Sequence, residues 1–380
     1  MAEATSMHIG LVGLGKMGGN MRERLRRNGV AVTGYDPNPD VTDVPDLAAL
    51  VAALPKPRVV WIMVPSGAIT DAVITDVAAH LEASDLIIDG GNTRYTDDAL
   101  HAAQVAAAGI RFVDCGVSGG VWGLENGYGL MAGGDPTDIT ELLPVFDALR
   151  PEGPRAEGFV HAGPLGAGHY AKMVHNGIEY ALMQAWAEGF ELLEARSGGE
   201  APDDLIHDVP GVFKAWQRGT VVRSWLLELL VKALDEDPEL ADIEGYVEDS
   251  GEGRWTVHDA LDHAVPVPTI SAAIFARFVS RQKTSPSMKA VAALRKQFGG
   301  HTVRKRPSGL AVHIGREAHG MQQRAQALLG GLQAFEQSGQ PLGRQRQPGQ
   351  GGGYQLASSP SNASASWRRA ARRGSPRWRG

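Results

Sequence analysis

The chain has 380 residues, 43% hydrophobic and 21% charged, with 37 Lys+Arg against 43 Asp+Glu. That length allows two or three domains with a substantial core, and no run approaches the roughly 18 apolar residues needed to span a membrane. A single cysteine, Cys115, excludes an internal disulfide or a cysteine-rich zinc site, and the first ten residues lack a basic segment leading into an apolar one, so the expected setting is a reducing cytoplasm.

The charge is unevenly spread. Residues 304–380 carry thirteen Lys+Arg and two acids, Glu317 and Glu336, a net +11, which leaves −17 on the remainder. An acidic body speaks against specific nucleic-acid binding by the folded part. The tail could hold polyanions only nonspecifically.

In chain order, Met7–Val12 reads as a short buried strand, and the glycines after it open a helix that ends near Asn28-Gly29. Strands at Val30–Tyr35, Arg58–Val64 and Leu86–Asp89 alternate with helical patterns at Ile69–Leu81 and Thr96–Ala108, the rhythm of a parallel α/β sheet. Beyond Gly163 the strand signals stop. Amphipathic stretches then run over Leu165–Ala195, Asp203–Gln217, Val222–Leu234 and Ile270–Phe298. The expected division is a doubly wound dinucleotide-binding domain over 1–163, an all-helical domain over 164–303 and a basic, low-complexity tail over 304–380. The tail has little apolar periodicity and is expected to be disordered, its abrupt switch to arginine fitting an out-of-frame or read-through terminus. A genuine polybasic tail is the other reading.

Gly10-Leu-Val-Gly13-Leu-Gly15-Lys-Met-Gly18 places G-x-G-x-x-G directly between a strand and a helix. In such a turn Gly13 permits the bend, Gly15 lets the backbone approach a pyrophosphate and Gly18 lets helix and strand pack closely, while the helix N-terminus favours the anion. Leu14, Lys16 and Met17 complete the loop. Asp36, after Tyr35 at the end of the second strand, suits a ribose 2′-hydroxyl and repels a 2′-phosphate, which makes NAD the expected cofactor over NADP of this Rossmann-type half. An Asx turn before Pro37 is the structural alternative for Asp36.

Gly166-Ala-Gly-His-Tyr-Ala-Lys-Met-Val-His-Asn-Gly-Ile-Glu-Tyr180 puts Lys172, Asn176, Glu179 and Met183 on one helical line, with His175 beside it. Lys172 and Glu179 are two turns, roughly 10 Å, apart along the axis. The stripe is either a base and an acid facing one substrate or a solvated charged surface. His175 has a core-histidine alternative, Ser118-Gly-Gly an ordinary turn, and Arg277 a snorkelling surface arginine. Cys115 reads as a small buried residue, and packing is the expected role of Trp186, Trp216 and Trp225.

These segments, with Ile87-Ile-Asp-Gly-Gly-Asn92-Thr, Phe112-Val-Asp-Cys-Gly-Val-Ser118-Gly-Gly120, Leu130-Met-Ala-Gly-Gly134, Trp255-Thr256, Phe275-Ala-Arg277 and Phe298-Gly-Gly-His301, resemble the decarboxylating 6-phosphogluconate dehydrogenases of the β-hydroxyacid dehydrogenase superfamily. The likeness covers residues 7–303 and is to a short form with one helical half-domain. It implies conversion of 6-phosphogluconate to ribulose 5-phosphate and CO2 with NAD, in the pentose phosphate pathway and gluconate use, without a metal. It also implies Lys172 as general base and Glu179 as the acid that protonates C1 of the enediol. By the same likeness Asn92, Ser118, Gly119, Gly120, His175 and Asn176 hold the sugar acid, Val64, Pro65 and Ser66 contact the dinucleotide along with Asn92, and Tyr180 and Arg277 bind phosphate. Arg295 and His301 would reach a neighbouring subunit's site, so a homodimer or homotetramer is implied.

Four positions depart from the long form of that family. Ser250 stands where a phosphate-binding lysine is found and Glu252 where a threonine is, so Glu252 is expected to turn away or pair with Arg254, the candidate to bring charge in the lysine's place; Val121-Trp122 also replaces polar residues. A relative acting on a non-phosphorylated acid such as 3-hydroxyisobutyrate is the nearer alternative, disfavoured because Tyr180, Arg277, Arg295 and His301 would lack an anion. A weakly catalytic dinucleotide-binding protein with a nucleic-acid-contacting tail is the more distant one.

Overall fold

Continuous apolar runs such as Val59–Ile62 and Leu86–Ile88, each buried throughout, form the middle of a seven-stranded sheet. Runs of this kind suit strands covered on both faces. The computed structural model describes residues 7–197, 205–299 and 302–304. Its strands are β1 (His8–Val12), β2 (Ala31–Tyr35), β3 (Val59–Ile62), β4 (Leu86–Asp89), β5 (Arg111–Ser118), β6 (Gly129–Gly133) and β7 (Phe159–Gly163). They lie in the order β2-β1-β3-β4-β5-β6-β7, all parallel except the β5–β6 pair. Strand order reverses at β1, and the crevice beyond the carboxyl ends of β1 and β3 is where such sheets bind ligands.

The helices of the sheet half are α1 (Lys16–Arg27), α2 (Leu47–Ala52), α3 (Ala68–Ala78), α4 (Tyr95–Ala106), α5 (Gly123–Asn126), α6 (Pro136–Glu141) and α7 (Leu143–Leu149). One face buries Ile9, Leu11, Met21, Leu25, Trp61 and Phe146; the other buries Val12, Val60, Ile62, Ile74, Val77 and Ile87. The expected alternation of strand and helix and the α1 end before Asn28-Gly29 hold, with Gly29 at φ +84.

After β7 come α8 (Ala167–Glu194), α9 (Val209–Trp216), α10 (Trp225–Glu236), α11 (Glu252–Asp262), α12 (Pro268–Ser280) and α13 (Pro286–Gly299). No named strand follows β7 among the described residues. The 28-residue α8 is a spine: its second half packs Trp186 and Phe190 on Phe213, while Tyr180 packs with Ala273 and Ile274. The single helical stretch expected over Ile270–Phe298 is two helices. Proline has no N–H to give and disfavours helical geometry in the residue before it, so a new helix starts at Pro286. Of the stretch expected from Asp203, the residues described from Leu205 become helical at Val209, where the Asp208 carboxylate caps Gly211 N–H at 2.7 Å.

The described chain divides into two units, one through Gln282 and a second from Lys283 that contains α13. The basic tail lies outside the described residues, apart from Arg304. No described helix is long and apolar enough to cross a membrane.

Candidate active site

The glycine loop has the geometry its sequence demands. Gly13 adopts φ +92, and a Cβ there would stand 2.3 Å from the Met63 carbonyl oxygen; one on Gly18 would stand 1.9 Å from that of Gly13. At Gly15 a Cβ would meet nothing within 4 Å, which leaves the N-terminus of α1 open above Lys16 and Met17. Asp36 Oδ2 accepts the Leu14 N–H at 2.8 Å and Oδ1 accepts the Asn38 N–H at 2.9 Å. The Asx-turn role and a position at the mouth of the loop therefore coexist in one carboxylate. Tyr35 is half-buried, Val64 is buried, and Pro65 and Ser66 are more open in the loop that leads to α3. These residues fit a dinucleotide: an open glycine cradle, an uncapped helix N-terminus and an acid at the second strand's end.

The lysine helix is fastened to the sheet by buried charge. Asp114 on β5 accepts the N–H groups of Gly166 at 2.6 Å and His169 at 2.8 Å, which satisfies donors left open at the start of α8. His169 Nδ1 lies 2.9 Å from both carboxylate oxygens of Asp98 on α4. Burial opposes its charged form, yet the hydrogen bond and charge of Asp98, helped by Asp89 and Asp114, hold its pKa up to about 9. Tyr95 and Tyr170 both donate to Asp259, at 2.7 and 2.8 Å, tying α4 and α8 to α11. Gly168 passes so close to β6 that a Cβ there would stand 2.3 Å from the Met131 carbonyl oxygen.

This fastening sets one face of α8 along a cleft of about 990 Å³. The solvated-stripe reading fails at its first residue, since Lys172 is only 7% exposed. Its Nζ lies 3.5 Å from His175 Nδ1, and burial lowers its pKa against the opposing charges of Glu179 and Glu252. His175 is half-buried and faces the cleft, with Nε2 3.2 Å from Ser118 Oγ and Nδ1 3.2 Å from Asn176 Oδ1. Burial, then the charge of Lys172, lowers its pKa. Glu179 is partly exposed, its Oε2 3.7 Å from His175 Nδ1. Ser118, Gly119 and Gly120 turn into the cleft with φ +146 at Gly119 and +54 at Gly120, and Asn92 reaches the same space from the end of β4.

The other end of the cleft is cationic and aromatic. The Arg277 guanidinium stacks 3.6 Å from the centroid of the Tyr180 ring and donates to the Glu248 carbonyl at 2.8 Å. That places it in the cleft wall, unlike a snorkelling surface arginine. Tyr180 Oη lies 3.1 Å from Ser250 Oγ and accepts the Ser250 N–H at 3.1 Å. Arg254 does not supply charge there; with Arg281 it pairs with Asp249, at 2.8 and 2.9 Å. Glu252 turns away from this end and is buried. It does not pair with Arg254.

The structure thus brings together Met17, Asn92, Ser118, Gly119, Gly120, Lys172, His175, Asn176, Glu179, Tyr180 and Arg277 on one cleft. Arg295 is exposed on α13 in the second unit, and His301 lies outside the described residues. Trp225, expected to pack, is 45% exposed and lines the cleft instead. Its place after Ser224, whose hydroxyl caps Leu227 N–H, puts it on the first turn of α10, a signal visible in the sequence but ambiguous without the neighbouring helices. Cys115 is fully buried, as expected, and burial raises its thiol pKa.

Residues 8–151 match the NAD binding domain of 6-phosphogluconate dehydrogenase and residues 168–308 its C-terminal domain. An NAD(+)-dependent, decarboxylating 6-phosphogluconate dehydrogenase of Haloferax volcanii is 40% identical over 310 residues, 79% of this chain and 99% of that one. The Plasmodium falciparum 6-phosphogluconate dehydrogenase, solved in its apo form and with NADP+ or 6-phosphogluconate, superposes with a TM-score of 0.64 at 26% identity, covering 79% of this chain and 67% of that one. A Mycobacterium tuberculosis 3-hydroxyisobutyrate dehydrogenase shares the fold, with a TM-score of 0.56 at 24% identity over 77% of this chain and 100% of that one. With its glycine loop, lysine helix and two matched domains, the chain belongs to the 6-phosphogluconate dehydrogenase family.

Proposed function

We propose that this chain oxidises 6-phosphogluconate at C3 and releases CO2 to give ribulose 5-phosphate, with NAD in preference to NADP, as a cytoplasmic step of the pentose phosphate pathway. The observation that carries this reading is Lys172, a buried amine on the cleft floor with its pKa lowered by burial. Such an amine gives up its ammonium proton more readily than one in water, as a general base requires. NAD, when bound, supplies the hydride acceptor.

In this reading Lys172 takes the proton of the C3 hydroxyl and, as ammonium, then stabilises the enolate oxygen left when CO2 departs. His175, Ser118 and Asn176 orient the hydroxyl and carboxylate through their shared hydrogen bonds, and Asn92 and the Gly119–Gly120 turn bound the same space. Glu179, open enough to exchange protons with solvent, protonates C1. Tyr180 and Arg277, with the Ser250 hydroxyl, receive the 6-phosphate. This cationic end favours a phosphorylated substrate over a plain 3-hydroxy acid, which would leave Arg277 without an anion. Asp36 stands where a 2′-phosphate would meet a carboxylate, which supports NAD.

The domain limits 1–163 and 164–303 are part of the same proposal, as is a homodimer or homotetramer in which Arg295 and His301 serve a neighbouring subunit. Exposed Met288, Val291 and Leu294 on α13 support coverage of that helix by a second copy. The decisive test is Lys172→Met: it folds, binds NAD and loses about 10²–10⁴-fold in kcat/KM, followed as matched NADH and CO2 release. Near-parental turnover by that variant overturns the reading.

A further inference from the structure

Glu252 has no part in the chemistry set out above, yet it is a buried acid beside the base. It occupies the first turn of α11, is 2% exposed, and has an Oε2 atom with no hydrogen-bond partner. Helix α11 is pressed onto α8 at this point. Thr256 Oγ1 donates to the Met173 carbonyl at 2.9 Å, a Cβ on Gly177 would stand 2.8 Å from Thr256 Cγ2, and one on Gly253 would stand 2.8 Å from Tyr180 Cδ2. The carboxyl therefore cannot swing out to water without separating the two helices.

The charged groups around it are few. From α8 it faces His169 and Lys172, while Lys172 itself also faces His175 and Glu179. On α11, Arg254 is held by Asp249 and Asp259 by Tyr95 and Tyr170; on α12, Arg281 is held by Asp249 and Arg277 lies on Tyr180. His169 is already neutralised by Asp98. The buried amine with the greater need of a counter-charge is Lys172.

We propose that Glu252 is a positioning residue for the base, its carboxylate acting through Lys172 to stabilise the ammonium that forms when the substrate hydroxyl gives up its proton. The inference rests on the reading of Lys172 as base. The proton moves from the C3 hydroxyl to Nζ and stays there; Glu252 neither gains nor loses one in the step, and offsets the new charge. The helix N-terminus favours a carboxylate at this position, while burial, against the pull of Lys172 and His169, pushes its pKa up to about 7. The charge on Glu252 thus varies around neutral pH.

The test is the acid limb of the kcat/KM–pH profile, with 6-phosphogluconate and NAD, for the parent and Glu252→Gln. Without the counter-charge the ammonium loses support, so the limb moves down by about 0.5–1 pH unit and the plateau falls severalfold as the base weakens. Substrate phosphate titration is common to both proteins and cancels. Glu252→Thr, also neutral, carries the same test if the amide variant does not fold. A limb that stays put or moves up overturns the proposal, even if thermal stability changes. Lys172→Met separates the two readings: if it keeps turnover the base assignment fails, whereas an inactive Lys172→Met beside an unmoved Glu252→Gln limb removes only the role of Glu252. In the protein without cofactor, the parent should also lose stability relative to Glu252→Gln as pH rises from about 4.5 to about 7, because a raised carboxyl pKa favours the folded state only below it.

Discussion

Gly116 and Lys172 pack so closely that a Cβ on Gly116 would stand 2.4 Å from the Cβ of Lys172. Any side chain on β5 at this position pushes α8 off the sheet and moves the amine with it. Gly116→Ala is therefore expected to destabilise the fold by about 1–3 kcal/mol through overpacking. It should also lower kcat/KM by about 10²-fold, because a displacement near 1 Å is enough to spoil alignment. Urea unfolding and steady-state rates on the same preparation check both. A variant with parental activity would show that the close approach has no part in placing the base.

The buried His169–Asp98 pair predicts a pH dependence of stability. His169 has its pKa raised above the unfolded value, so its contribution is fully present below about 6.5 and is lost as pH rises through about 9. Thermal unfolding followed from pH 6 to 10 should show this loss. In Asp98→Asn the alkaline decline should vanish, at a cost of about 3–5 kcal/mol for the unpaired partner.

Arg277→Met removes the cation stacked on Tyr180 while keeping much of the apolar stem. On the proposed role at the phosphate end, KM for 6-phosphogluconate rises by about tenfold or more and kcat changes less. The same variant should discriminate poorly between 6-phosphogluconate and unphosphorylated gluconate. Unaltered KM values for both would place the phosphate elsewhere.

Asp36→Ala takes an acceptor from the Leu14 and Asn38 N–H groups as well as a negative charge from the mouth of the loop. The ratio of kcat/KM for NAD to that for NADP is expected to fall at least about tenfold. Binding of NAD should weaken as well, since the loop loses an anchor worth about 1–3 kcal/mol. Cofactor titration by fluorescence checks the second effect without turnover. An unchanged ratio would remove Asp36 from cofactor choice.

Strands β1 to β4, helices α1 and α3, the glycine loop and the span of α8 were readable in the chain itself, because each depends on local patterns: apolar runs, helical periodicity, and glycines with positive φ such as Gly13; the six-residue α2 was too short to show. The family motifs likewise marked Lys172, His175 and Asn176 without their neighbours. Position along a helix does not state exposure, however, and the same stripe of residues read equally as solvated surface. Only the packing of α8, with its Gly168 against β6 and its Lys172 against Gly116 of β5, buries Lys172 and leaves Glu179 partly open. Helix α11 was missed because Gly251 and Gly253 weaken its local signal, and it is the contact of Thr256 with α8 that holds it. Trp225 left its expected packed setting to line the cleft, and Glu252 took the first of its two expected courses by sinking between helices, for the same reason. Local sequence sets which element a residue joins; which side of that element meets water is settled by neighbours distant in the chain, since burial is a property of packed pairs.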